Sequence, residues 1–190
     1  MRRRFLMLIS LALVFCFCGC NKEDKVYMTG VWKEKTYVND FANLELTIPD
    51  DWTVCSKQEI NETIDNDHES IHIDAMAKNE VTGGNMVIMY ENLIQVENSD
   101  IDERQYFNAL KEQNTVSYSS REIDYVKPPA CREIESTYET LINGEKYFSI
   151  NTTFDSLDIS QTFFVRKIGN YMVIILYTDG INRMEIDFTK

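Results

Sequence analysis

Hydrophobic and polar positions change their period several times along the chain, and each change marks an element. In "TYVNDFANLELTIPDDW", Leu44, Leu46 and Ile48 alternate with Glu45 and Thr47, which reads as two short strands with Pro49 ending the second. "SKQEINETIDND" opens with Ser56 and, three residues on, Glu59. This is a capping box, and Ile60 and Ile64 follow one turn apart, so a helix is expected. "SIHIDAMAKNE" alternates Ile71, Ile73 and Ala75 with Ser70, His72 and Asp74, and "NMVIMYENLIQV" is rich in β-branched and aromatic residues. Two paired strands joined through "NEVTGG" are expected there. A second helix is expected from Asp100, with Glu103 as its reciprocal cap and Ile101, Tyr106 or Phe107, and Leu110 turned inward.

From Thr115 the pattern turns almost wholly to strand: "VSYSSREIDYV", "CREIESTYETLI", "EKYFSINTTF", "DISQTFFVRKI" and "YMVIILYT". Asn143-Gly144 and Gly169-Asn170 separate the later runs as two-residue hairpin signals, because such turns want positive φ. A meander of about four antiparallel strands follows. "DGINRMEIDFTK" places Ile181, Met184 and Phe188 at helical spacing, so a short closing helix is expected. Grouped strands with segregated helices predict an α+β domain, an antiparallel β-sheet flanked by helices.

The N-terminus follows different rules. Met1-Arg2-Arg3-Arg4 precedes an apolar run from Phe5 to Phe17, too short to span a bilayer as a helix, and then Gly19 and Cys20. The segment resembles a bacterial lipoprotein signal, with Phe17-Cys18-Gly19-Cys20 as the lipobox and Phe17 where leucine is usual. On this reading residues 1–19 are a signal peptide, and Cys16 and Cys18 leave with it. Cys20 then carries a diacylglyceryl lipid, residues 20–35 form the lipidated cysteine and its tether, and residues 36–190 form a single domain. Ordinary secretion with cleavage nearby is the alternative. A metal site at the three cysteines is disfavoured, because metal sites draw ligands from folded loops with at least two intervening residues, and no such pair follows.

Charge narrows the partners. Without residues 1–19 the chain has 171 residues, with sixteen basic and 31 acidic side chains, a formal charge of −15. Nucleic acid is excluded as a natural partner by that sign. The same sign keeps a tethered domain soluble and off an anionic membrane surface.

Candidate chemistry is sparse. "DNDHESIHID" gathers Asp65, Asp67, His68, Glu69, His72 and Asp74, and carboxylates with imidazoles at this density can bind a divalent cation. The calcium-loop template fails, since Ser70 stands in place of its turn glycine and Met76 in place of its bidentate glutamate. Cys55 and Cys131 form either a disulfide after export or two free thiols. Glycine-flanked serine elbows are absent from the sequence, and no acid pair can be singled out among 31 carboxylates. Aromatic side chains alternating along the later strands predict either core rings or a paved binding surface. Trp52 is expected to cap the core edge, with ligand stacking as its second reading.

The spacing Y-x-N-x-F-x-N-L-x-L-x-I-P-x-x-W, carried by Tyr37, Asn39, Phe41, Asn43, Leu44, Leu46, Ile48, Pro49 and Trp52, together with "FFVRKIGNYMVIILYT", resembles a group of lipoproteins of Gram-positive anaerobes. Their domain is similar to the PsbP/Mog-like fold, an α/β sandwich whose wider members include assembly factors, photosystem subunits and partners of a small GTPase. The resemblance covers residues 30 to 190. It implies a fold and a place at the outer face of the cytoplasmic membrane, and no catalytic residues. The expected function is a non-catalytic module that binds a protein or small molecule. The alternative is a metal-binding or hydrolytic extracytoplasmic protein using Asp65, Asp67, His68 and His72.

Overall fold

The computed structural model describes residues 26–63, 70–96, 100–109, 133–154 and 159–179. Among the described residues, ten strands fall into two antiparallel sheets. The smaller contains β1 (Val31–Lys33), β2 (Thr36–Asn39) and β3 (Leu44–Thr47), in that order. The larger sheet is built from β4 (Thr53–Val54), β5 (Ile71–Lys78), β6 (Asn85–Asn92), β7 (Glu133–Ile142), β8 (Glu145–Phe154), β9 (Ile159–Ile168) and β10 (Tyr171–Asp179). Its order is β4-β5-β6-β10-β9-β8-β7, so β10 sits at its centre.

This corrects the expected α+β architecture and with it the PsbP/Mog-like α/β sandwich. Among the described residues strand dominates. The helices among the described residues are α1 (Lys57–Thr63) and α2, residues 103–109. What covers one face of the large sheet is a second sheet. Tyr37, Leu44, Leu46, Phe41 and Ile48 pack on Ala75, Ala77, Ile88, Val173 and Ile175 in the main core. The two short helices cover only parts of the other face. Ile60 of α1 packs with Cys55, Met76 and Val87, while Tyr106 of α2 packs with Leu93, Val165, Met172 and Ile174. Strand β10 is therefore buried on both sides, which explains its nearly unbroken apolar run in place of alternation.

Local chemistry accounts for the turns and caps. Asn143 and Gly144 have φ of 51° and 78°, the mirror-image turn that matches strand twist. In the β9–β10 hairpin Gly169 is positive, at 57°, and Asn170 is not. At α1, Ser56 N donates to Glu59 Oε2 at 2.8 Å and Glu59 N donates to Ser56 Oγ at 3.2 Å, closing the expected capping box. The second box lies two residues beyond its expected place. Asp102 N donates to Gln105 Oε1 at 3.0 Å, and Gln105 N donates to Asp102 Oδ1 at 2.7 Å. Glu103 accepts the Lys167 backbone N–H at 2.9 Å instead, so it ties α2 to β9.

Both faces absorb the alternating aromatics. Tyr147 and Phe164 enter the main core, Phe163 meets Phe107 edge-on, and the Arg104 guanidinium lies 5.2 Å from the Phe148 ring centroid. Trp52 is 3% exposed and stacks on Tyr177 with centroids 5.9 Å apart. Its place is the core. The expected strand at 115–126 and the closing helix after residue 180 lie outside the described residues.

Candidate functional site

The most concentrated polar arrangement among the described residues begins with one extra residue in β5. Ile73 pairs with Met89 and Ala75 with Ile88, the next residue along β6, so Asp74 is left over as a β-bulge. The bulge reverses the alternation of the strand. Ile73 joins Met76 against α1, whereas Ala75 and Ala77 face the small sheet. It also aims the Asp74 carboxylate at the small sheet and at the chain leading into it.

Asp74 Oδ2 gathers three donors. The Gly30 backbone N–H donates to it at 2.8 Å, Asn39 Nδ2 at 3.1 Å, and the Tyr37 hydroxyl makes a third, short bond. Asn39 also donates to the Met28 carbonyl at 3.0 Å and accepts the Ala42 N–H at 3.0 Å. Residues 27–30 are thereby strapped across the domain. Tyr27 fills the inner side of this strap, 4.9 Å from Tyr90, 5.5 Å from Tyr171 and nearly parallel to His72 at 5.7 Å. Burial and the neighbouring Asp74 charge push the Tyr27 hydroxyl up to about 12. Tyr37 and Tyr90 are driven up as well, chiefly by burial.

The strap and β1 occupy part of the stretch expected as tether, residues 20–35. Gly30 is where the fit is tightest. A Cβ there would lie 2.7 Å from Tyr37 Cε2, and Tyr37 is fully buried and hydrogen-bonded, so its ring has nowhere to swing. Gly30→Ala is expected to cost about 1–3 kcal/mol of stability, the usual range for overpacking, read as a lower urea midpoint.

On its far side the small sheet is held by a second polar corner. Arg166 Nη1 donates to the Ala42 carbonyl at 3.0 Å, and its Nη2 pairs with Glu145 at 2.6 Å. Glu45 N donates to Asn143 Oδ1 at 2.8 Å. The small sheet thus bridges from β5 to the β7–β8 turn and β9.

Of the candidate residues read from sequence, Cys20, Asp65, Asp67, His68 and Cys131 lie outside the described residues. His72 is exposed on β5, and its ring lies against Tyr27. Among the described residues, no three His, Cys, Asp or Glu side chains come together in a way that could hold a metal ion. Cys55 is buried beside α1, where burial and then Glu59 raise its thiol. That direction disfavours the nucleophilic thiolate. Sequence reasoning missed Asp74 and Gly30 as the centre of the site. The one available signal was the apolar run Ala75-Met76-Ala77, which breaks the alternation immediately after Asp74.

Compared with models of known protein families and with curated proteins, the chain matches none.

Proposed function

We propose that this chain is an extracytoplasmic lipoprotein, a non-catalytic binding or assembly module held at the outer face of the cytoplasmic membrane by diacylglyceryl lipid on Cys20. The observation that carries the reading is the N-terminal layout: three arginines, a short apolar run and Phe17-Cys18-Gly19-Cys20. The strap supports it, because a domain anchored through its N-terminus needs that end fastened to its core. Asp74, Asn39 and Tyr27 fasten it within ten residues of Cys20. The polar groups gathered there hold the fold together, as a binding scaffold requires: Asp74 Oδ2, the Tyr37 hydroxyl, Asn39 and the Ala42 N–H are engaged with one another, while Asp74 Oδ1 is buried without a partner among the described residues.

The test is Cys20→Ser in a bacterial host that lipidates exported proteins. The substitution is expected to leave an unprocessed precursor or release the protein from the membrane fraction, and to abolish incorporation of labelled fatty acid. Normal processing and membrane retention of the Cys20→Ser protein would overturn the reading.

A further inference from the structure

The strap that fastens the N-terminus also presents an outward face. Tyr27 turns inward, while Val26, Met28 and Val31 are 80%, 63% and 55% exposed. Lys33, also exposed, follows at the next outward position of β1. Three exposed apolar side chains within six residues are costly to leave in water at a place the fold holds fixed. The seating of Gly30 on Asp74 and of Met28 on Asn39 prevents the strap from rolling over to bury them.

Covalent reach identifies what covers this strip. Val26 lies six residue steps along the chain from Cys20, and a fully extended chain of that length spans about 20 Å. A lipid on Cys20 therefore keeps Val26 within about that distance of the headgroups. Residues 21–26, "NKEDKV", carry two lysines and two acidic residues, so this part of the chain has no net charge to set it against an anionic surface. The remainder of the domain, strongly acidic, is repelled from such a surface.

We infer that Val26, Met28 and Val31 form a second membrane contact, an apolar strip seated in the headgroup and acyl boundary of the bilayer that holds the lipid. This inference rests on the lipoprotein reading above. Three apolar side chains would bind a bilayer weakly alone, but next to an acyl anchor they act at high effective concentration and fix the domain's orientation. The seven-stranded sheet is then presented with its β5 end toward the membrane and β8 about 19 Å further across, at four strand spacings.

The experiment uses the full chain, expressed in cells, with the photo-crosslinker p-benzoylphenylalanine in place of Met28 and, separately, in place of Lys146 on β8. Lys146 has a 74% exposed side chain and serves as the distant control. Illumination is expected to give a phospholipid adduct at position 28, detected by mass, at roughly ten-fold the yield at position 146. An adduct to a second copy, an adduct to another protein, or equal lipid yields at the two positions would each overturn the strip. Lipidation is scored separately in the same samples by the mass of Cys20. An unmodified Cys20 refutes the anchor, while a lipidated Cys20 with no lipid adduct at position 28 refutes the strip alone.

Discussion

Asp74→Ala is expected to lower unfolding stability by about 3–5 kcal/mol, a large share of the roughly 5–15 kcal/mol that holds a domain folded. The size follows from how many groups one oxygen serves. Gly30 N–H, Tyr37 Oη–H and Asn39 Nδ2 all donate to Asp74 Oδ2. Tyr37 and Asn39 are buried, so their orphaned donors cannot turn to water without moving the strap or β2. A small side chain at the bulge satisfies none of them. Asp74→Asn keeps the shape and can set its one oxygen where the three donors converge. It exchanges a carboxylate for a weaker neutral acceptor and leaves its amide at the unpartnered Oδ1 position, so a smaller loss of about 1–2 kcal/mol is expected. Tyr37→Phe combined with Asp74→Ala should be clearly less than additive, since the first change removes a donor that the second would strand. Urea denaturation of the wild type, Asp74→Ala, Asp74→Asn, Tyr37→Phe and the double variant reads all of this. A loss below about 1 kcal/mol in Asp74→Ala would show that the carboxylate is not what seats the strap.

Alkaline pH is the second large lever. Tyr37, Tyr90, Tyr106 and Tyr147 are each no more than 5% exposed, and burial is the first cause raising every one of their hydroxyls. At Tyr106 the bond to the Glu91 carboxylate adds to burial in the same direction. Below about pH 10 these side chains are neutral in both folded and unfolded chains, and stability is independent of their titration. Above it the unfolded chain releases protons that the folded chain retains, so stability falls as pH rises. The slope is about 1.4 kcal/mol per pH unit for each such tyrosine, or about 4 kcal/mol per unit for Tyr37, Tyr90 and Tyr106 together, with Tyr147 adding in the same direction. The domain is therefore expected to unfold cooperatively between about pH 11 and 12. Tyrosinate absorbance should show a cooperative step on unfolding, when the buried tyrosines reach water and ionise. Smooth, reversible ionisation of all ten tyrosines near pH 10 in a chain that stays folded would contradict the burial described above.

Much of the local structure could be read from the residues alone because its causes are local. Asn143-Gly144 turns the chain through its own tolerance of positive φ, and Ser56 with Glu59 starts a helix through bonds three residues apart. The meander β7 to β10 needs only neighbouring strands to pair in sequence order. The helix at residues 103–109 was visible, but its cap was assigned to Asp100 and Glu103. Two acidic residues with capping chemistry lie two apart, and only the pull of the Lys167 amide on Glu103 distinguishes them.

The candidate site was almost unreadable by comparison. Residues 27–30 are polar or exposed for most of their length, and their order comes from Asp74, more than forty residues away. His72 stood out because histidine is rare here, whereas Asp74, one carboxylate among many, holds the strap.

By itself the sequence determined most of the strands and turns among the described residues, and the acidic charge. Those properties depend on period, turn residues and composition within a few neighbours. The tertiary structure decided which side of each strand is inside and what covers it. One unpaired residue at Asp74 exchanges the faces of Ile73 and Ala75, and the pairing of β6 with β10 closes a sheet from segments some eighty residues apart. A second sheet covers a face that the pattern had assigned to helices, since an alternating strand shows that a face is buried without showing by what.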